Sequence, residues 1–401
     1  MLLKLPSEII LTATTDILAG SSIATSAATV ATGLANVVFR LALPWVFQKL
    51  SYSTKVAIIV FSYIAGFIII VTADSAIMRL VGFSVVELGR ANAMVTFFGM
   101  TAFYSDVSIH AIVAGTGVGS VLGTLYYTGV STWTCVSPRF TVAIATPSVL
   151  FFTILPYVIL DKSQLNQETK TISVAGVKYK ALDDQQNKQH TDELSLKRKL
   201  LLTWDIYLLM TYLFWQYFVD YISLKAIITT LAFPQASFYP RDLFTYYVLC
   251  YNIAKFLSRC YLLVLSIACS SVVRLVQIKK TWILATVGLV LMFYSVFASW
   301  YRFLPYVEVI LILCCLMGAC TGCIYAHSPL VVADTITVVR EREFAQSMLT
   351  VGAAAGECAA GLLGLYVEPY LQHHCEFELG LGDNCLTRFP KVTGWTENVH
   401  C

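Results

Sequence analysis

Apolar stretches of roughly 18 residues or more recur from one end of this chain to the other, and a run of that length is what a helix needs to cross the hydrocarbon core of a bilayer. A water-soluble α/β fold would show shorter runs broken by charged faces. With 57% hydrophobic and only 13% charged residues among 401, and a mean hydropathy of +0.71, the chain has too little polar surface for a soluble fold of that size. The lipid bilayer is its expected surrounding. The 22 Tyr and 23 Phe suit positions between lipid and headgroup or in the lining of a polar cavity. The fold class read from this pattern is all-α, a polytopic membrane protein of about eleven transmembrane helices.

The spans read as 5 to 19, 23 to 47, 55 to 73, 82 to 103, 108 to 130, 140 to 160, 202 to 224, 244 to 266, 281 to 299, 304 to 328 and 343 to 367. The first is short. Lys4 before an apolar run gives it some likeness to a signal peptide, but Glu8 interrupts the apolar core, and a truncated first span is the better account. Residues 161–200 are polar, with the run Asp183, Asp184, Gln185, Gln186, Asn187 and Lys188, and read as a solvated linker. The expected organisation is an N-terminal transmembrane half over 1–160, the linker over 161–200, a C-terminal half over 201–367 and a tail over 368–401.

Basic residues set the orientation. Connections after even-numbered spans hold Lys49 and Lys55, the Lys-rich linker, Arg274, Lys279 and Lys280, and Arg340 and Arg342. Those after odd spans hold chiefly Arg139, Arg241 and Arg302. The positive-inside rule makes the even connections and the linker cytosolic and the tail lumenal. In an oxidising lumen a disulfide between Cys375 and Cys385 is permitted.

Several functions are disfavoured. The basic residues fall between hydrophobic spans rather than on one solvated face, so a nucleic-acid partner is not expected. Most of the 12 cysteines sit inside apolar runs as small buried hydrophobes. Cys320 and Cys323 have C-x-x-C spacing, but no second pair or redox-type context accompanies them, so neither metal nor cofactor is expected. There is no H-E-x-x-H, G-x-S-x-G or P-loop to support an enzyme. No N-x-[ST] glycosylation acceptor occurs.

A faint internal symmetry runs through the spans. Span 5 carries Gly115, Gly117, Gly119 and Gly123, and span 11 carries Gly352, Gly356, Gly361 and Gly364. Gly115, Gly119, Gly123, Gly352 and Gly356 are expected to serve helix packing. Arg40 in span 2 has counterparts Lys255 and Arg259 in span 8, and Asp16 in span 1 has Asp220 in span 7. Six positions separate the members of each pair. Two related halves joined by a cytosolic linker are the plan of the major facilitator fold, with a solute site at the midplane between them.

The chain also resembles a particular family. Thr101-Ala102-Phe103-Tyr104, Gly115-Thr116-Gly117 and Leu122-Gly123 are similar to the T-A-F-Y, S-G-T-G and L-G blocks of the battenin family. Tyr217-Phe218-Val219-Asp220-Tyr221 is similar to its Y-F-A-E-Y, and Ser258-Arg259 to its S-R. Arg342-Glu343-Phe344-Ala345 and Gly361-Leu362-Leu363-Gly364-Leu365 are similar to R-E-F-A and G-L-L-G-L. The chain departs at Leu88-Gly89-Arg90, where the family has L-G-E, and it lacks the C-a-a-X ending of some relatives. The resemblance implies a multi-pass lysosomal or vacuolar membrane protein of major-facilitator type, tied to export of glycerophosphodiesters, to basic amino acid transport and to organelle pH homeostasis.

Charges inside a membrane cost roughly 2.5 to 3.5 kcal/mol each on insertion scales, so several in one chain require partners or a water-filled cavity. Arg40, Lys255 and Arg259 are expected to form one substrate-binding site, since Arg offers a rigid donor fork that matches phosphate or carboxylate. Asp16 and Asp220 would neutralise those cations or hold an amino group. Glu357 is expected to pair with a cation across a helix interface or to couple protons. His327 either loads a proton or serves as a hydrogen-bonded structural residue. Lys225 and Glu87 are expected near the interfaces, snorkelling. A transporter of a small polar solute needs the charges to converge on one cavity, whereas a non-transporting scaffold for trafficking would leave them paired within each half. Tyr179-Lys180-Ala181-Leu182 in the linker has the form read by sorting adaptors, which makes Tyr179 and Leu182 candidate sorting residues and such adaptors candidate partners.

Overall fold

The expected apolar runs become helices. The structure, a computed structural model, describes residues 4–46, 50–103, 106–159, 194–233, 236, 239–388, 391 and 393–398, and no strand occurs among them. The N-terminal half comprises Leu5–Thr12 (α1), Thr14–Ile17 (α2), Ser26–Val46 (α3), Tyr52–Thr72 (α4), Ala76–Met100 (α5), Asp106–Tyr127 (α6) and Pro138–Ile159 (α7). The C-terminal half comprises Leu196–Asp205 (α8), Tyr207–Ile222 (α9), Pro240–Ala268 (α10), Ser270–Val276 (α11), Trp282–Tyr301 (α12), Val307–Thr335 (α13) and Val339–His373 (α14). Thr393–Thr396 (α15) lies in the tail. Most of the linker, with Tyr179 and Leu182, falls outside the described residues.

Eight helices among the described residues are long and apolar enough to cross a bilayer. The first and seventh expected spans are broken instead, because ψ opens to −1° at Ala13 and 2° at Ile206. Serine side chains start two of the long helices: Ser51 accepts from the Thr54 amide and Ser75 from that of Met78, each at 3.2 Å. The last two spans outrun their expected limits of 328 and 367, since a helix ends where its caps and packing end it and not at the hydrocarbon boundary. Gln346 Nε2 donates to the Pro329 carbonyl at 2.8 Å, and an Arg198–Glu341 ion pair of 2.6 Å ties the start of α14 to α8.

Helix packing repeats between the halves. Within the N-terminal half α1 packs on α6 and α3 on α5, and six spans later α9 packs on α14 and α10 on α13. The halves meet through α3 on α14 and α6 on α10, two contacts that a shift of six spans exchanges. Glycines permit the close approaches. A Cβ at Gly356 or Gly352 would lie 2.2 or 2.3 Å from the carbonyl oxygen of Phe214 or Met210 on α9, and one at Gly123 would lie 2.8 Å from that of Leu5 on α1. Gly115 and Gly119 are buried in α6, where it is Gly117 that fronts α10: a Cβ there would lie 3.2 Å from the Phe256 Cα.

The tail lies against the connections that follow odd-numbered spans. The Thr387 amide donates to the Thr229 carbonyl at 2.9 Å, and Asn398 Nδ2 to that of Ser131 at 2.6 Å. Trp395 is buried under the Arg79 guanidinium. A disulfide joins Cys375 and Cys385, and Cys135, after the fifth span, is also disulfide-bonded.

Candidate functional site

A cavity of about 40 Å³ lies where α1, α9, α10 and α13 converge. It has room for roughly three waters. Its charged lining is uneven: Lys4, Lys225, Lys255 and Arg259 face Glu8 and Asp220. All six are buried. Tyr217, Tyr221, Tyr251, Asn252 and Thr321 supply further polar groups. A small space with two cations in excess of its carboxylates is suited to an anion.

The contacts inside it cross between the halves. Lys255 Nζ lies 3.7 Å from Glu8 Oε1, which also accepts from Ser120 Oγ at 2.9 Å. Lys225 Nζ donates to the Leu11 carbonyl at 2.8 Å. Asn252 Nδ2 donates to Thr124 Oγ1 at 2.7 Å. Within the C-terminal half, Asp220 accepts from the Tyr251 hydroxyl and, at 3.0 Å, from Thr321 Oγ1. Thr321 in turn accepts from Gln216 Nε2 at 2.9 Å.

Arg259 differs from these partnered groups. Its Nη1 donates to Thr116 Oγ1 at 3.1 Å and its guanidinium lies 4.2 Å from the centre of the Tyr325 ring. Its Nε and Nη2 find no acceptor among the described residues, although the side chain is 0% exposed. Nε and one Nη are the edge that grips a carboxylate or phosphate in two parallel bonds. A buried donor left without an acceptor costs about 1–3 kcal/mol, more for a charged group, which an anionic guest would remove.

The expected trio of cations is only partly assembled. Lys255 and Arg259 share the cavity; Arg40 is not in its lining. On α3, which packs against α14, Arg40 Nη1 donates to the Thr350 carbonyl at 3.0 Å, so the symmetry of the sequence is not a symmetry of charge. Asp16 does not neutralise those cations either. It accepts from Arg241 Nε and Nη2 at 2.7 and 2.8 Å and from the Tyr127 hydroxyl at 2.6 Å, near the tail. Arg241 also reaches Ser131 Oγ at 2.9 Å. His327 is hydrogen-bonded through both ring nitrogens, Nε2 to the Tyr261 hydroxyl and Nδ1 accepting from the Ile278 amide at 3.2 Å, away from the cavity.

Lys225 and Glu87 do not snorkel; both are buried. Lys225 sits in a π-helical turn, Ser223–Ile227, whose wider winding alters the direction in which side chains leave the helix. Glu87 pairs with Arg90 on its own helix, and Arg90 Nη2 bridges to Glu357 at 2.8 and 3.0 Å. Asn36 Nδ2 donates to Glu87 at 3.0 Å and to Glu357 at 3.1 Å, and Thr32 Oγ1 to Glu357 at 3.0 Å. Glu357 thus pairs with a cation across the interface between halves. Sequence reasoning missed Lys4, Glu8 and the cavity tyrosines. An acid interrupting an apolar run marked Glu8, but the tyrosines resemble any membrane aromatic.

The comparisons with known proteins agree with this architecture. The CLN3 protein family matches residues 7–374. The chain belongs to the CLN3, or battenin, family. It is 24% identical to battenin of Canis lupus familiaris over 360 residues, covering 88% of this chain and 78% of the relative. To protein BTN1 of Yarrowia lipolytica it is 23% identical, covering 93% and 92%, and to that of Saccharomyces cerevisiae 23% identical, covering 91% of each. Among solved structures, a proton:xylose symporter of the major facilitator superfamily superposes with a TM-score of 0.65 at 10% identity, over 98% of this chain and 91% of the other. A nucleoside transporter superposes with a TM-score of 0.53 at 12% identity, over 98% and 93%. The fold is that of a major facilitator transporter, and the chain is a multi-pass membrane protein of transporter-like build.

Proposed function

We propose that this protein carries a small polar solute, an anionic glycerophosphodiester before a basic amino acid, across the lysosomal or vacuolar membrane. Arg259 carries the reading: a fully buried guanidinium whose Nε and Nη2 lack acceptors, set in a cavity richer in cations than in carboxylates. Lys255 adds charge one helical turn away. Arg40 belongs to the interface between halves and not to the solute's first contacts. A scaffold that only held partners would leave charges paired within each half, whereas Lys255 and Glu8 pair between halves. At about 40 Å³ the cavity is too small for such a solute, so uptake requires the halves to part on one side at a time.

The orientation that suits this role has the linker of 161–200 in the cytosol and the tail after Glu368 in the lumen. Disulfide-bonded Cys135, Cys375 and Cys385 all belong to the lumenal set of segments, while the free cysteines lie in or beside the spans. Support of organelle pH would follow from what is carried with the solute.

The test is flux in proteoliposomes with radiolabelled glycerophosphodiesters and, in parallel, lysine and arginine. Arg259→Lys keeps the charge and loses the planar fork, so phosphodiester flux should fall, and Arg259→Ala should lower it further at unchanged abundance. Normal flux and affinity in Arg259→Ala would overturn the site, and flux of lysine alone would overturn the choice of solute.

A further inference from the structure

A second polar centre lies outside the cavity and is not used in holding the solute. Glu87 and Arg90 on α5, Asn36 and Thr32 on α3, and Glu357 on α14 are all buried, and they join the N-terminal half to the C-terminal half within the membrane-spanning region. Two carboxylates share one guanidinium and one amide, and Arg40 on α3, whose Nη1 donates to the Thr350 carbonyl, lies in electrostatic reach of both without pairing with either among the described residues. Two like charges held on the same donors this deep in the protein favour the uptake of a proton.

Asn36 offers the means to accept that proton. Its Nδ2 donates to both carboxylates, while its Oδ1 is without a hydrogen-bond partner and the residue is 0% exposed. When one carboxylate becomes a carboxylic acid, a half-turn of the amide brings Oδ1 round to accept the new O–H. The side chain is then satisfied in a state it does not occupy here, aimed at the same two acids.

We propose that Glu87 and Glu357, held by Arg90 and Asn36, form a proton-binding site whose protonation loosens the grip of the N-terminal half on Glu357 and so couples proton uptake to the parting of the halves. The proton comes from water on whichever side the protein is open to; no bond other than O–H forms. Charged and titratable groups in electrostatic reach come from each neighbouring element: Arg40 on α3, Tyr63 on α4, Tyr221 on α9, Lys225 beyond it and Cys358 on α14. Tyr221 also lines the solute cavity, so one side chain borders the cavity and lies in electrostatic reach of the second centre. The proposal rests on the halves moving, as transport requires, and not on which solute Arg259 holds.

Its test needs no solute. Purified protein in lipid nanodiscs is acidified from neutral pH while infrared difference spectra and proton uptake are recorded. The wild type should gain a carbonyl stretch of a protonated carboxylic acid. Glu87→Gln should lose that band and take up about one proton fewer per chain, because its remaining carboxylate is balanced by Arg90. Glu87→Asp should restore both. Spin labels at lipid-facing Leu34 and Leu362, in a background without other free cysteines, should move apart on acidification in the wild type and not in Glu87→Gln. Should Glu87→Gln fail to fold, Glu357→Gln leaves Glu87 balanced by Arg90 and should likewise lose the band and about one proton per chain. No protonated-carboxyl band in the wild type, a band unchanged in Glu87→Gln, or a fixed label distance would each overturn the proposal.

Discussion

Replacing Arg241 by Gln should open the end of the protein against which the tail lies, the lumenal end in the proposed orientation. Arg241, at the start of α10, grips Asp16 of the other half with two bonds of 2.7 and 2.8 Å, and both side chains are almost fully buried. Removing one partner from a buried ion pair costs about 3–5 kcal/mol, because the other charge stays behind in a poor solvent. Tyr127 still donates to Asp16 at 2.6 Å, which favours the lower end of that range. An open lumenal side hydrates Asp16 and escapes the cost, so the penalty falls on the closed state alone. At 1.4 kcal/mol per tenfold, about 3 kcal/mol raises the open population roughly a hundredfold. Val248 lines the cavity two turns deeper on α10. With the free cysteines replaced, Val248→Cys should react faster with a membrane-impermeant maleimide supplied on the lumenal side once Arg241→Gln is present. Adding Asp16→Asn should slow the reaction again, since no charge is then stranded. Unchanged labelling in Arg241→Gln at wild-type abundance would refute the idea that this pair closes the lumenal side.

Gly356→Ala places a methyl group 2.2 Å from the Phe214 carbonyl oxygen, so α14 and α9 must separate and thermal stability should drop by about 1–3 kcal/mol, read from an unfolding scan in detergent. Protease added to sealed organelles should cut within the linker of 161–200 and spare the tail beyond Glu368; a cut tail would invert the topology. Tyr179→Ala should shift some of the protein from lysosome-like organelles to the cell surface, and unchanged localisation by microscopy would remove that motif from the sorting account.

The spans were legible because hydropathy is a local quantity that the bilayer imposes on every crossing segment independently. Arg90, Asp220, Lys255 and Arg259 were visible as intramembrane charges for the same reason. Their partners were not. Arg40 and Arg259 occupy related positions in the repeat and meet equivalent neighbours, α14 and α6, yet one bonds a backbone carbonyl while the other bonds a threonine hydroxyl and faces a cavity. Lys225 lies close enough to a span end to suggest snorkelling, and only the π-turn that carries it reveals an inward side chain.

By itself the sequence determined that the chain is a helical membrane protein in two repeated halves and that it keeps costly charges within its spans. It also carried the family's short blocks in order, which is information of residue type and spacing. Which charge meets which was decided only in the tertiary structure: Asp16 with Arg241, Glu357 with Arg90, and Arg259 with two donors left free. The physical reason is that pairing depends on helix rotation and on the approach of segments hundreds of residues apart, set by contacts such as Gly356 against Phe214 that no single span encodes.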